Sequence, residues 1–338
     1  MSGREQDVVG VPPVAELPGP SAEDWDALAA EAGNIFLTHA WAQCWWRHYG
    51  QNARPHVVPV PGSGAFMALS STGRMLRQAR LLGAGPADQL GILGSASQVP
   101  SALRELRTFL GGRPRHDLFV ANDVPVSEAW AEQLGGTVLR FEPSPVVTLS
   151  YDTWDEFLAA RSRNFREQAR RKERRLHRDF RVVLRLADEE TFDRDMATLF
   201  TLHQQRWGTD AGFASGRERR FQIEFAAVAL AAGRLRLWVL ELDGEPVASL
   251  HGFRFAGAEY FHQGGRNPAF DAHSVGFLLL AHAIRAALED GMGEYRLLRG
   301  GEPYKARFAD AQADVCTVAV PLTARGRLAV TAAARRRA

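Results

Sequence analysis

The stretch LRLWVLELDGEPVASLHGFRFAGAEYFHQ (235–263) decides the fold of this chain. Asp243-Gly244 is the sequence of a type I′ hairpin turn, and Ala256-Gly257 marks a second tight turn. Tight turns of this kind join strands that run in opposite directions. The stretch therefore predicts a three-stranded antiparallel meander, with strands at 235–242, 246–255 and 259–263.

The elements around the meander alternate between helix and strand. A strand from Arg181 and two helices precede it, and an apolar helix over 275–290 follows, ended by Gly291. A strand at 294–298, a short helix and a closing strand at 314–320 complete this half. The first half also interleaves helices with strands, so we predict the α/β class with mixed α+β sheets.

The length of 338 residues favours two domains, because single cores seldom grow beyond roughly 250 to 300 residues. Pro143-Ser-Pro145 marks the seam, which predicts domains at 14–148 and 149–325. Residues 1 to about 13 are expected to form a loose leader, and we expect neither a secretory signal nor a membrane span. Cys44 and Cys316 cannot build a disulfide framework, so we expect a reducing, cytoplasmic setting.

The net charge of +2 hides a strongly basic segment. Between Arg161 and Arg181 there are ten Lys or Arg residues against three Asp or Glu. We predict a long basic helix over 154–180 and leave three interpretations open. The helix is a solvated connector, a surface for a polyanion or membrane, or a contact for tRNA phosphates.

Seven segments, in this order and spacing, resemble one family: NIFLTHAWAQCWWRHYG (34–50), NFREQARRKERRL (164–176), LHQQRWG (202–208), LWVLELDGEPVASLHGFRF (237–255), YFHQGGRNPAF (260–270), SVGFLLLAHAI (274–284) and YRLLRGGEPYKARFA (295–309). The family is the FemAB/CelD-like, cellulose-biosynthesis-type branch of the GNAT superfamily. The resemblance covers most of the chain from Asn34 to Ala309. It implies two tandem GNAT-like domains and an acyltransferase that uses an acyl-CoA.

Three functions follow as alternatives. The first is transfer of an acyl group from acetyl-CoA or another acyl-CoA to an amine or hydroxyl of a small molecule or saccharide. The second, which the Fem-type relatives imply, is transfer from an aminoacyl-tRNA. The third is a non-catalytic polyanion-binding protein with a degenerate GNAT fold. We expect a monomer, because two fused halves can replace a dimer.

An acyl-CoA donor needs amide groups for its diphosphate and a strand edge for its pantetheine arm. The helix start at Ser274, Val275 and Gly276 is the candidate for the first, with Ser274 as N-cap. Gln263 and Gly264, at the end of a strand expected to splay from its neighbour, are candidates for the second. The loop before Ser274 departs from the superfamily's Arg/Gln-x-x-Gly-x-Gly/Ala pattern.

Acyl transfer also needs a base for the acceptor and an acid for the leaving thiolate. His262 and His251 are candidates for the base, since histidine titrates near pH 6.5, and Glu302 is the alternative. The resemblance implies that Tyr304 protonates the thiolate. No metal is required, because the sequence has no HExxH motif and no Cys/His cluster at ligand spacing.

Four further residues are candidates for binding the substrate. Arg299 and Lys305 can bind an anionic group, although a salt-bridged turn is an equal interpretation. Arg206 and Trp207 resemble a family element near the acceptor pocket.

Overall fold

The computed structural model describes residues 17–73, 75–112, 115–208 and 212–335. The predicted leader lies outside these ranges, as do Arg336 and Arg337 of the basic tail. The helices of the described ranges are α1 Ala22–Glu31, α2 His39–Tyr49, α3 Val99–Gly111, α4 Trp130–Leu134, α5 Trp154–Ala159, α6 Arg163–Asp179, α7 Phe192–Trp207, α8 Gly216–Ala231, α9 Val275–Glu289 and α10 Ala324–Arg335. The strands are β1 Ala53–Pro59, β2 Phe66–Thr72, β3 Gln78–Leu81, β4 Leu118–Pro125, β5 Thr137–Glu142, β6 Pro145–Thr148, β7 Val182–Leu186, β8 Leu235–Leu242, β9 Glu245–Phe255, β10 Ala258–Arg266, β11 Glu294–Arg296, β12 Ala311–Gln312 and β13 Val315–Pro321.

Within the described ranges these strands form two mixed sheets. The six-stranded sheet has the order β1-β2-β3-β4-β13-β5, and the seven-stranded sheet has the order β12-β6-β11-β10-β9-β8-β7. Each sheet contains one parallel pair, β3 with β4 and β10 with β11, among antiparallel neighbours. The predicted α/β class with mixed sheets is confirmed.

The predicted meander is confirmed as β8, β9 and β10. Asp243 and Gly244 both have positive φ, as a type I′ turn requires, and so do Ala256 and Gly257 at the second turn. Most residues of the meander are buried, because helices cover both of its faces. This sheet holds the candidate site.

The two halves exchange strands at the seam. β6 ends at Thr148, within the predicted first domain, but it pairs with β11 in the second sheet. β13 was expected to close the second half, but it lies between β4 and β5 in the first sheet. Strands from both sides of the predicted boundary at residues 148 and 149 therefore occur in each sheet. Short apolar strands fit either sheet by pattern alone, so only long-range pairing decides their place.

The basic helix predicted over 154–180 is two helices, α5 and α6. The helical conformation is interrupted at residues 160–162. Ser162 caps α6 by accepting a hydrogen bond from the Phe165 amide at 3.2 Å. A serine side chain at this position satisfies an amide that has no partner within the helix. The break lets α6 bury Phe165, Ala169 and Leu176 while its arginines stay at the surface.

The tryptophans of α2 pack in the core. Trp41 is fully buried, and its ring meets Phe221 and Phe225 of α8 edge-on at 4.9 and 4.7 Å between centroids. The Tyr260 hydroxyl of β10 donates to the Gly33 carbonyl at 2.7 Å. Because α8 and β10 belong to the second half, these contacts join the two halves into one continuous core.

Candidate functional site

The site lies where β10 and β11 part. Their parallel pairing ends after three register pairs, from Ala258 with Glu294 to Tyr260 with Arg296. β10 continues to Arg266 along β9, so its other edge turns towards the start of α9. A cavity of about 370 Å³ fills this gap between β10, α9 and α6. The predicted splay of the two strands is present.

The start of α9 forms one wall of this cavity. The helix begins at Val275 as predicted, but the side chain of Ser274 makes no capping hydrogen bond to any described residue and its φ is +58°. The first amide with an acceptor in the described chain is that of Leu278, which donates to the Ser274 carbonyl. Ser274 and Gly276 line the cavity, and a Cβ on Gly276 would lie 3.4 Å from the Arg266 side chain. The predicted N-cap role of the Ser274 side chain is therefore wrong, although the helix start faces the cavity.

Positive charge dominates the lining of the large cavity. Asp271 is the one carboxylate among the described lining residues, and it pairs with Arg266 at 2.6 Å. The other cations have no carboxylate partner within the described chain; they are Lys172, Arg206 and Arg307. A cavity with this charge excess attracts anions.

A second, smaller cavity of about 70 Å³ adjoins the large one. The two cavities share a boundary formed by Arg206, Phe261, Gly264 and Tyr304. The structure thus brings most of the predicted site residues together around the smaller cavity: Arg206, Trp207, His262, Gln263, Gly264, Arg299, Glu302, Tyr304 and Lys305.

Tyr304 lies on the boundary between the cavities. Burial, and then the nearby charge of Glu302, raise the pKa of its hydroxyl to about 12, although Arg206 opposes the shift. The guanidinium of Arg206 lies 5.6 Å from the centre of the Tyr304 ring. The phenol is therefore protonated at neutral pH and able to donate a proton.

Arg206 and Trp207 end helix α7 at the mouth of the smaller cavity. The Arg206 guanidinium stacks on the Trp207 ring at 4.3 Å, and Trp207 is about half exposed. The Trp207 indole donates to the Gly264 carbonyl at 3.4 Å, which ties α7 to β10. At Gly265 an added Cβ would lie 2.2 Å from the His203 amide, so α7 packs directly on this strand.

Lys305 supports the turn that carries Glu302. Its ammonium is buried, donates to the Arg299 carbonyl at 2.5 Å and pairs with Glu302 at 3.0 Å. The turn includes Leu298 and Gly300, both with positive φ. Lys305 therefore holds an irregular backbone in place, which matches the salt-bridged interpretation of the sequence.

Arg299 connects the turn to the first half of the chain. Its guanidinium pairs with Asp88 at 2.6 Å and with Asp123 at 2.8 Å. Burial opposes ionisation of Asp88, but the hydrogen bond from His262 and the charge of Arg299 outweigh it and hold its pKa below the usual range. Neither aspartate could be predicted as a partner from sequence spacing, because both lie more than 170 residues from Arg299 along the chain.

His262 sits at a β-bulge in β10, between Phe261 and Gln263. Its Nδ1 lies 3.3 Å from Asp88 and its Nε2 lies 3.1 Å from the Gln222 amide nitrogen, which implies a proton on Nδ1. The ring is enclosed by aromatic side chains; those within about 6 Å are Phe36, Trp41, Phe213, His251 and Phe253. Both nitrogens are thus already engaged.

His251 is fully buried behind His262 and lines neither of the two cavities. Neither of its ring nitrogens has a hydrogen-bond partner among the described residues. Burial, followed by the charge of His262, holds its pKa well below the ordinary value. The imidazole therefore stays neutral and packs as an apolar ring.

Part of the chain is similar to a known family of domains. A family model described as an acetyltransferase (GNAT) domain matches residues 163–306, which span α6 to the Glu302 turn. The matched segment contains the meander, the splayed strands and the start of α9. The chain therefore has a GNAT fold, and residues 163–306 are similar to a GNAT acetyltransferase domain.

Solved structures with the same fold cover nearly the whole chain. A structure of FemX has a TM-score of 0.65 at 12% identity and covers 90% of this chain and 97% of that one. L-PGS from Bacillus licheniformis has a TM-score of 0.60 at 13% identity, with 94% and 97% covered. The C-terminal domain of a putative lysylphosphatidylglycerol synthetase from Agrobacterium fabrum has a TM-score of 0.57 at 14% identity, with 92% and 95% covered. No curated protein matches the sequence.

Two further observations concern metals and membranes. Among the described residues, no group of three or more His, Cys, Asp or Glu side chains is arranged to hold a metal ion. In the same ranges, every helix is either too short or too polar to cross a bilayer.

Proposed function

We propose that this protein transfers an acyl group from an acyl-CoA to an amine or hydroxyl of a small-molecule or saccharide acceptor. One observation carries the proposal. The cation-lined cavity at the parted strands adjoins a smaller polar cavity, and Tyr304 lies on their shared boundary. This arrangement suits a donor that has anionic phosphates at one end and a reactive thioester at the other.

The large cavity provides the groups that such a donor requires. The first amides of α9 point along the helix axis, where the helix dipole favours an anion. The edge of β10 over Phe261 to Gly264 offers backbone groups to the amides of a pantetheine arm. The thioester would then lie at the boundary that Tyr304 and Arg206 form.

We assign the proton transfers to residues at this boundary. Glu302 takes the proton from the acceptor as its nitrogen or oxygen attacks the thioester carbon. Tyr304 gives its proton to the sulfur as the carbon–sulfur bond breaks. Glu302 is preferred to His262 as the base, because both nitrogens of His262 are engaged and Glu302 is partly exposed in the smaller cavity.

A backbone amide at the bulge of β10 is our candidate for stabilising the oxyanion. At a bulge one residue lies outside the ladder of hydrogen bonds between the strands. Its backbone groups point in a different direction from those of the paired residues. One such donor contributes about 3 kcal/mol to the transition state when it is fixed in advance.

Calorimetric titration with acetyl-CoA, free CoA and a longer acyl-CoA tests the proposal. We expect micromolar binding that weakens at least tenfold in Gly276→Leu, because the side chain would occupy the space at the start of α9. The matched control is Gly111→Leu, since Gly111 ends α3 and a Cβ added there would meet nothing within 4 Å. The acyl-CoA proposal would be wrong if the folded protein bound neither CoA nor either of the two thioesters.

An aminoacyl-tRNA donor is the second candidate, which the exposed arginines of α6 and the shared fold with FemX favour. It predicts donor affinity that falls steeply with salt, because many phosphates are contacted. A CoA-type donor has few phosphates and predicts a shallow dependence. A non-catalytic polyanion-binding protein would retain its binding after loss of Glu302 and Tyr304.

Three finer predictions complete the proposal. Membership of the cellulose-biosynthesis-type branch remains a prediction from the sequence, as does the monomeric state. The cytoplasmic setting also remains a prediction; both thiols, Cys44 and Cys316, are free and buried.

A further inference from the structure

Two cations from different elements face one aromatic ring at the large cavity. Lys172 of α6 places its ammonium 4.6 Å from the centre of the Phe277 ring, in the first turn of α9. Arg307, on the short helical turn Lys305–Arg307, places its guanidinium 4.9 Å from the same ring. Both cations line the cavity, as does the ring.

The two charges are not neutralised within the described chain. Neither Lys172 nor Arg307 has a carboxylate within salt-bridge distance there, and Arg307 donates to the neutral amide of Gln168 at 2.7 Å. Glu173, the next residue after Lys172, lines a separate groove on the other side of α6. Burial, followed by the charge of Arg307, lowers the pKa of the Lys172 ammonium.

Like charges held close together repel, and partial burial strengthens the repulsion. The ring face of Phe277 offsets part of this cost by attracting both cations. An anion bound in the cavity that both cations line would offset the remainder. Within the described chain, Lys172 and Arg307 thus place two positive charges without a carboxylate partner on the lining of one cavity.

We propose that Lys172 and Arg307 form a phosphate-binding subsite, with Phe277 as the platform that aligns them. The inference rests on the proposed acyl-CoA donor and names the residues that select for its phosphates. Either the diphosphate or the ribose 3′-phosphate of CoA supplies the required group. Selection for a phosphorylated donor then comes from α6 and the Arg307 turn, in addition to the start of α9.

The test is a set of calorimetric titrations on the full-length protein. CoA, 3′-dephospho-CoA and pantetheine are titrated into the wild type, Lys172→Gln, Arg307→Gln and the double variant. Arg171→Gln is the matched control, because it removes the same charge from the neighbouring exposed residue of α6. Thermal unfolding verifies that each variant is folded.

We expect each single variant to bind CoA about tenfold more weakly and the double variant more weakly still, because each loses a charge-assisted contact. Pantetheine, which has no phosphate, should bind all proteins equally. If the loss disappears with 3′-dephospho-CoA, the subsite binds the 3′-phosphate. If the loss persists, the subsite binds the diphosphate.

Two results would overturn the subsite. The first is CoA binding by the double variant with the wild-type affinity. The second concerns a wild type that does not bind CoA. The proposed donor then fails, and the subsite is tested with inorganic pyrophosphate instead. Weaker pyrophosphate binding in the double variant than in the wild type would then uphold the subsite, and equal binding would reject it.

Discussion

The two adjoining cavities hold similar numbers of basic side chains but use them differently. In the smaller cavity Arg299 and Lys305 are paired with carboxylates and carbonyl groups of the protein itself. In the larger cavity Lys172, Arg206 and Arg307 have no carboxylate partner among the described residues. Paired cations hold a structure together, whereas unpaired cations beside a cavity are available to a ligand. The variants below test this distinction.

Loss of a paired cation should have the largest effect on stability. Arg299→Ala removes one of two ionic partners from each of Asp88 and Asp123, which are both largely buried. We expect the free energy of unfolding to fall by about 3 kcal/mol, measured by urea denaturation. Arg285→Ala, which breaks an exposed pair with Glu289, should change it by less than about 0.5 kcal/mol. Equal losses in the two variants would show that Arg299 is not a structural link.

Tyr304→Phe sharpens the comparison at the boundary of the cavities. The variant keeps the buried ring but removes the proton that we assign to the leaving thiolate. We expect kcat to fall about 100-fold while KM and the unfolding free energy stay close to the wild-type values. Tyr151→Phe is the control, because Tyr151 packs against Phe157 outside both cavities. An unchanged kcat would assign the proton donor elsewhere.

His251 has no hydrogen-bond partner among the described residues, yet it lines neither cavity. A side chain without a partner therefore does not always indicate a ligand site. The folded-state pKa of His251 lies well below the ordinary value, so only the unfolded chain takes up the proton as the pH falls below about 6.5. Stability is therefore present above that pH and is lost below it, by about 2 kcal/mol between pH 7 and pH 5 for this residue.

The corresponding measurement is urea denaturation at both pH values. His251→Leu should lose less stability on acidification than the wild type, whereas His177→Leu, at an exposed position of α6, should match the wild type. The same loss in His251→Leu and the wild type would contradict a neutral buried imidazole.

Loss of an unpaired cation should give the smallest effect and should affect binding alone. Arg206→Gln removes a charge that both cavities share, so we expect CoA affinity to fall about tenfold with unfolding changed by less than about 1 kcal/mol. Arg219→Gln is the matched control, since Arg219 also stacks on a ring, that of Phe200, but lines neither cavity. A large loss of stability with unchanged binding would reverse the distinction.

Sequence patterns were sufficient for the local features of the site. The paired turns at Asp243-Gly244 and Ala256-Gly257 need positive φ, which few residue types favour, so they could be recognised directly. The helix that starts at Val275 and stops before Gly291 was also predicted within one residue. These features depend on neighbours along the chain.

Two wrong predictions concern the starts of two helices, α6 and α9. The Ser274 side chain was expected to cap α9, but its backbone is left-handed and its side chain makes no capping hydrogen bond to a described residue. The break between α5 and α6 follows from the side chains that α6 buries against α9 and the Arg307 turn.

The sequence by itself determined the meander, the helix that follows it and the mixed α/β class, because turn chemistry and hydrophobic periodicity act over a few residues. Only the tertiary structure decided that β6 and β13 exchange sheets, that Asp88 reaches His262 and Arg299, and that Lys172 and Arg307 share one ring. The physical reason is that pairing of charges and strands depends on three-dimensional distance. That distance is set by packing of the whole core and not by spacing along the chain.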